Sequence, residues 1–159
     1  MSERKYKKGV TVGAFDLCHA GHILMFKEAK ELCDYLIIGL QDDPSVDSEY
    51  RIKEKGGQVK NVPVMFLEER KIILDSIKYI DEVFVYTTES DLYEKLKNLD
   101  YDVRILGADW EGKKYTGWDL EHTPYFNKRD YLFSTTELRN RIYKQEKVKR
   151  ELINRENNS

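Results

Sequence analysis

The stretch Val10-Thr11-Val12-Gly13-Ala14-Phe15-Asp16-Leu17-Cys18-His19-Ala20-Gly21-His22 constrains the fold of this chain more than any other. An apolar run meets a glycine and an acid. Two histidines three apart then lead into a helical pattern. A short apolar run that enters a glycine turn and then a helix reads as a buried parallel strand passing to its crossover helix. At the carboxyl ends of such strands, free backbone N–H groups and the helix dipole receive anions. Gly13 lets a phosphate or nucleotide approach the backbone, and Gly21 leaves room for a base or ribose against the turn. Imidazole N–H groups of His19 and His22 can bind phosphate oxygens and stabilise charge that develops in a transition state. Packing accounts for one histidine in such a loop, but poorly for two around a glycine after a Gly-x-Phe-Asp turn. Zinc binding by the pair lacks a Cys or acid at the spacing that completes a tetrahedral set.

The rest of the chain repeats the alternation. Val10–Phe15, Tyr35–Leu40, Glu82–Tyr86 and Val103–Gly107 read as buried strands, and Tyr125-Phe126 starts a short fifth. His22–Cys33, Glu68–Ile77 and Asp91–Leu99 read as helices, the last with Ser90 as N-cap, and Ser134 opens a C-terminal helix. Alternating β and α units imply a Rossmann-like, doubly wound parallel sheet in three α/β/α layers. At 159 residues, the span 1–159 forms a single domain with a core large enough for independent stability. The 27 basic and 29 acidic side chains give a formal charge of −2, which argues against a dedicated nucleic-acid binder. No apolar run approaches a membrane span, and the basic start leads into a strand rather than a signal-peptide core. Cys18 and Cys33 form no metal or redox motif, which fits a reducing, cytoplasmic setting.

Residues 42–66 are long, polar and punctuated by Gly and Pro, and read as a mobile substrate loop. Arg51, Lys53, Lys55 and Lys60 lie in it, either as a solvated face or as a phosphate-binding lid. Arg70, in the next helix, either pairs with a neighbouring Glu or reaches substrate. Asp109 and Trp110 follow the fourth strand directly, at the carboxyl edge of the sheet beside the histidine turn. An acid there can bind a ribose hydroxyl, a base amine or a magnesium-bound water, and Trp110 alternatively serves as a lid over the core. Ser134 with Glu137 fits a capping box, and the Ser134, Thr135 and Thr136 hydroxyls at a helix N-terminus also form an anion site. The basic helix 137–150 reads as a solvated face, and 151–159 as a frayed tail.

Gly13 to His22 resembles the G-x-F-D-x-x-H-x-G-H signature of the cytidylyltransferase-like nucleotidyltransferases, and the likeness extends over residues 9–143. Gly107 to Lys113 resembles the G-D-D-W-E-G-K segment of glycerol-3-phosphate cytidylyltransferases, and Ser134-Thr135-Thr136 resembles the end of the family's R-T-x-G-I-S-T-T motif. Asp130, Leu132, Ala108 and Lys78 depart from the pattern, where the family has Thr, Gly, an acid and Arg. The resemblance implies that CTP and an alcohol phosphate, glycerol 3-phosphate above all, give a CDP-alcohol and pyrophosphate. Residues and resemblance together assign catalysis to His19, His22 and Arg129. They place Gly13, Ala14, Phe15, Asp16, Gly21, Gly107, Asp109, Trp110, Ser134, Thr135 and Thr136 around the nucleotide. Lys53, Lys55, Lys60 and Arg70 are assigned to substrate, and Mg²⁺ arrives with the nucleotide, with Asp16 ordering the turn or orienting the ion. The resemblance also implies a homodimer, its interface near the first motif and the segment from Trp110 to Tyr125. Pro63-Val64-x-x-Leu67-Glu68-Glu69-Arg70 is similar to a segment of heptose-phosphate adenylyltransferases, so ATP with a sugar phosphate stays open. A nucleotide-binding module without turnover is the alternative from another class.

Overall fold

Strand β1 (Tyr6–Gly13) runs through the middle of a wholly parallel sheet, in a computed structural model that describes residues 4–47, 60–128 and 132–159. It is flanked by β2 (Cys33–Gln41) and β4 (Val103–Leu106), with β3 (Glu82–Tyr86) and β5 (Thr123–Phe126) outside them. The order β3-β2-β1-β4-β5 places Val10 opposite Ile37 on one side and Arg104 on the other. Helices α1 (Ala20–Leu32) and α2 (Leu67–Asp75) cover one face, and Phe26, Ala29 and Leu74 pack there on Leu36, Ile38, Val103 and Ile105. Helix α3 (Glu89–Asn98) covers the other, where Leu92 and Leu96 meet Val10, Ile37, Tyr86 and Tyr101. The three-layer Rossmann-like expectation therefore holds. The central strands read as continuous apolar runs because both of their faces are covered.

The strand order reverses between β1 and β4, the neighbours of opposite progression, and opens a crevice at their carboxyl ends. Each element that borders this crevice begins or ends near the expected place. Three boundaries differ for physical reasons. Thr88, not Ser90, caps α3, because its hydroxyl accepts the Asp91 N–H at 3.1 Å. Strand β2 starts at Cys33, directly after α1, with no intervening loop. Helix α4 (Thr135–Asn157) continues through the expected frayed tail and ends with the Asn158 N–H on the Asn154 carbonyl. Ion pairs one turn apart, Glu137 with Arg141 and Glu146 with Arg150, support a helix that buries no residue of its own.

The chain leaves β2 through a short 3₁₀ turn, Pro44–Asp47. Arg51, Lys53 and Lys55 lie outside the described residues, as does Arg129. Lys60 is described and exposed. Among the described residues no helix is long and apolar enough to cross a membrane.

Candidate active site

At Gly13 the chain leaves β1 and reverses sharply. Phe15 (φ 49°) and Leu17 (φ 51°) adopt the left-handed conformation, which is unfavourable for bulky L residues. Packing holds them there. The Phe15 ring is 7% exposed, lies 5.2 Å from the Phe26 ring and meets the edge of the His22 imidazole at 5.7 Å. Between the two reversed residues, Asp16 accepts the N–H of Val64 at 2.8 Å and of Met65 at 2.9 Å, and pairs with Arg139 at 3.3 Å. Asp16 thereby ties the turn to the approach to α2 and to α4.

His19 is the N-cap of α1. Its Nδ1 accepts the Gly21 N–H at 3.0 Å, and the His22 Nδ1 reaches back to accept the His19 N–H at 3.2 Å. The two histidines thus form a reciprocal cap like the one Ser and Glu usually build. Their rings lie 4.0 Å apart. With both Nδ1 atoms accepting, each neutral ring carries its proton on Nε2. The His19 Nε2–H donates to the Thr135 hydroxyl at 3.2 Å, which joins the N-terminus of α1 to that of α4. Burial lowers the His22 pKa to about 4, the charge of His19 adds to this, and Asp16 opposes it. At neutral pH His22 is therefore an uncharged N–H donor.

The glycines need a different explanation from the one sequence offers. A Cβ on Gly21 would lie 2.8 Å from the His19 ring and 2.9 Å from the Phe133 carbonyl, so the protein's own groups occupy the space expected for a base or ribose. A Cβ on Gly13 would press on the Phe15 ring at 3.3 Å. Gly107 caps the 3₁₀ turn Ala108–Trp110, and a Cβ there would meet only Trp110, at 3.9 Å. Asp109 is exposed and Trp110 is 37% exposed, both at the carboxyl edge directly after β4.

Arg70 corrects a second expectation. It neither pairs with a helical Glu nor faces substrate. It is 2% exposed, and its guanidinium donates to the carbonyls of Ala14 (2.9 Å), Gln41 (2.6 Å), Asp42 (2.5 Å) and Met65 (3.0 Å). Four buried or half-buried carbonyls are satisfied by one side chain, which makes Arg70 a positioning residue. Ser134 caps α4 by accepting the Glu137 N–H at 3.1 Å, and Thr136 is exposed beside it. Arg139, which sequence reading placed on a solvated basic face, docks on Asp16. The signal was its spacing: Thr135 and Arg139 are four apart, hence on one face of α4, and that face meets the histidine turn. Among the described residues no His, Cys, Asp and Glu side chains cluster in a group of three or more that could hold a metal ion.

Residues 10–141 match the cytidylyltransferase-like family. The chain is 34% identical over 137 residues to the glycerol-3-phosphate cytidylyltransferase of Staphylococcus aureus, which covers 86% of this chain and 96% of that protein. It is 37% identical over 110 residues to the bifunctional protein HldE of Wolinella succinogenes, covering 69% of this chain but only 21% of that much longer protein. The crystal structure of the lipopolysaccharide core biosynthesis protein from Thermoplasma volcanium GSS1 aligns with a TM-score of 0.59 at 21% identity, over 79% of this chain and 99% of that one, and shows the shared fold.

Two outcomes test this geometry. Gly21→Ala must displace either the His19 ring or the Phe133 carbonyl, and should cost about 1–3 kcal/mol of stability, measured by urea denaturation. The second concerns pH. His22 titrates near 6.5 when unfolded and near 4 when folded, so the unfolded chain binds its proton first as pH falls. Stability from this group is complete above pH 6.5 and declines as pH falls towards 4, by roughly 2 kcal/mol at pH 5. Denaturation from pH 7.5 to 5 should show this slope in the wild type, and His22→Gln should flatten it.

Proposed function

The chain belongs to the cytidylyltransferase-like family and is a nucleotidyltransferase, and on that premise we propose that it joins CTP to glycerol 3-phosphate to give CDP-glycerol and pyrophosphate. The observation that carries this reading is the histidine pair, with His19 Nε2 on Thr135, where the N-termini of α1 and α4 meet. Two helix N-termini and the His22 imidazole donor suit a triphosphate. The name and near-complete coverage of the Staphylococcus aureus relative support CTP and the glycerol acceptor.

In the proposed reaction an acceptor phosphate oxygen attacks the α-phosphorus in line. The bond from that phosphorus to the bridging oxygen breaks, and the electron pair leaves with pyrophosphate. The attacking group is already an anion, so no general base is required, and catalysis rests on positioning and charge stabilisation. His22 Nε2–H donates to the oxygens on which charge grows, and His19 holds Thr135 in place for the same phosphates. Ser134, Thr135 and the free N–H groups of α4 receive the β- and γ-phosphates, with Arg129 assigned there by resemblance. Asp109 and Trp110 border the nucleoside, and Lys53, Lys55 and Lys60 close on substrate phosphates from the long loop. Magnesium bound to the nucleotide would supply neutralisation of phosphate charge. A chain whose Asp16 is taken up by two backbone amides and Arg139 fits an ion held mainly by the substrate's own oxygens.

The match to HldE, with the similarity of Pro63–Arg70 to heptose-phosphate adenylyltransferases, favours a second reading, transfer from ATP to a sugar phosphate. A twofold dimer is part of the proposal. Leu132 (95% exposed) and Phe133 (47%) offer apolar surface beside the histidine turn, and Trp118 (51%) offers more within the segment from Trp110 to Tyr125. We assign the enzyme to the cytoplasm, in keeping with its free cysteines, Cys18 and Cys33.

Pyrophosphate release should be fastest with CTP and glycerol 3-phosphate in a panel that pairs CTP and ATP with phosphorylated alcohols and sugars. Faster release with ATP and a sugar phosphate would install the second reading, and no release with any pair would remove both. His22→Ala should lower kcat by about two to three decades with cooperative unfolding retained. Light scattering at micromolar concentration should give about twice the chain mass of 18.9 kDa, and a single chain mass would refute the dimer.

A further inference from the structure

Arg104 is a charge in a place that packing alone would fill with an aliphatic side chain. It sits in β4 between Val103 and Ile105, which face the α1 and α2 side of the core. Its own side chain is 2% exposed on the α3 side, the side lined by Val10, Ile37, Leu92 and Leu96. A buried guanidinium is unfavourable there unless its bonds do something an apolar group cannot.

Those bonds lead in one direction. Nη1 donates to the Thr116 carbonyl at 2.9 Å, and the guanidinium lies over the Tyr115 ring at 5.2 Å. Nε is buried with no hydrogen-bond partner, so the side chain is not placed to satisfy itself. The Thr116 hydroxyl in turn donates to Glu89 at 2.6 Å, in the first turn of α3. Gly117 (φ 85°) allows the close approach, since a Cβ there would lie 3.0 Å from Leu96 and 3.5 Å from Nη1. The segment from Gly107 to Gly117 therefore has two moorings. One is the end of β4, followed by the 3₁₀ turn with Asp109 and Trp110. The other is the relay from Arg104 through Thr116 to Glu89.

We propose that Arg104 is a positioning residue for nucleoside recognition: by holding Thr116 it fixes the returning limb of the Gly107–Gly117 segment, and with it the Asp109–Trp110 wall that discriminates between bases. This rests on the nucleotidyl-transfer reading above. A wall that drifts by a fraction of an ångström loses the difference between two bases before it loses phosphate binding, because the phosphates are held elsewhere, at α1 and α4.

The chain's two tryptophans, Trp110 and Trp118, both lie on or just beyond this segment, so their emission reports its position and nucleotide binding without turnover. CTP and ATP are titrated against the wild type, Arg104→Leu, Arg104→Met, Arg104→Lys and Thr116→Val, alongside thermal unfolding and pyrophosphate release. Arg104→Leu should unfold cooperatively, shift unliganded emission to the red and shrink the preference between CTP and ATP about tenfold, the worth of one hydrogen bond to a charged group. Arg104→Lys should recover part of that preference, and the acceptor KM should stay within about twofold. Thr116→Val, which keeps the carbonyl that Arg104 holds and loses the hydroxyl bond to Glu89, should shrink the preference less, and Arg104→Met carries the test if Arg104→Leu does not fold. The inference is overturned if a folded variant keeps the wild-type preference, if both nucleotides and the acceptor weaken together, or if the wild type does not discriminate. Wild-type emission that responds to neither nucleotide would instead strike the proposed function, and this inference would fall with it.

Discussion

Arg70 donates to four carbonyls from three segments of chain: Ala14 after β1, Gln41 and Asp42 at the end of β2, and Met65 before α2. Each of these carbonyls, left buried without a donor, would cost about 1–3 kcal/mol. Asp16 completes the arrangement from the opposite side. Where Arg70 takes the Met65 carbonyl, Asp16 takes the Val64 and Met65 amides. A cation and an anion thus grip the same short approach to α2, each by the backbone group that suits its charge. The rest of the carboxyl edge depends on this grip, because it fixes both flanks of the turn in which Phe15 and Leu17 are held left-handed.

Most of the residues in the first motif therefore build geometry, and few are left to touch substrate. Gly13 yields to the Phe15 ring, Gly21 to the His19 ring and the Phe133 carbonyl, and Asp16 to two amides. The groups the proposed reaction leaves for substrate are the Nε2–H of His22 and the hydroxyls at the start of α4. The histidine ring that caps α1 also reaches α4 through Thr135, so one side chain sets the relation between the two helix N-termini. Arg139 on Asp16 is a second tie between the same two elements.

The sheet was legible because its strands announce themselves. Tyr35–Leu40 is too short and too continuously apolar for a surface helix, and the strand found at Glu82–Tyr86 has the expected limits. The position of the site was legible for the same reason, since strand order and a glycine turn place it without side-chain detail. The roles of single residues were not. Nothing local tells that Arg70 looks inward at four carbonyls rather than sideways at Glu, because three of them, Ala14, Gln41 and Asp42, are distant in sequence. Gly21 reads equally well as room for a ligand or for a neighbouring ring until the Phe133 carbonyl, over a hundred residues away, is seen beside it. The length of the C-terminal helix was not legible because one-turn ion pairs, not burial, accompany it.

The strain in the turn has a chemical result. A left-handed Phe15 brings its ring to the edge of His22, and burial lowers that imidazole to about 4. A cationic side chain at this position would bind a triphosphate tightly before reaction as well as during it, and uniform binding of that kind does not raise kcat. A neutral N–H donor interacts modestly with the bound nucleotide and more strongly as charge accumulates on the departing phosphates. Such a donor suits the proposed transfer, whose nucleophile arrives ionised and whose difficulty lies in the charge of the transition state. The backbone strain at Phe15, the edge contact, the lowered pKa and the neutral donor then form one causal sequence. It starts with the two residues, Arg70 and Asp16, that hold the turn in place.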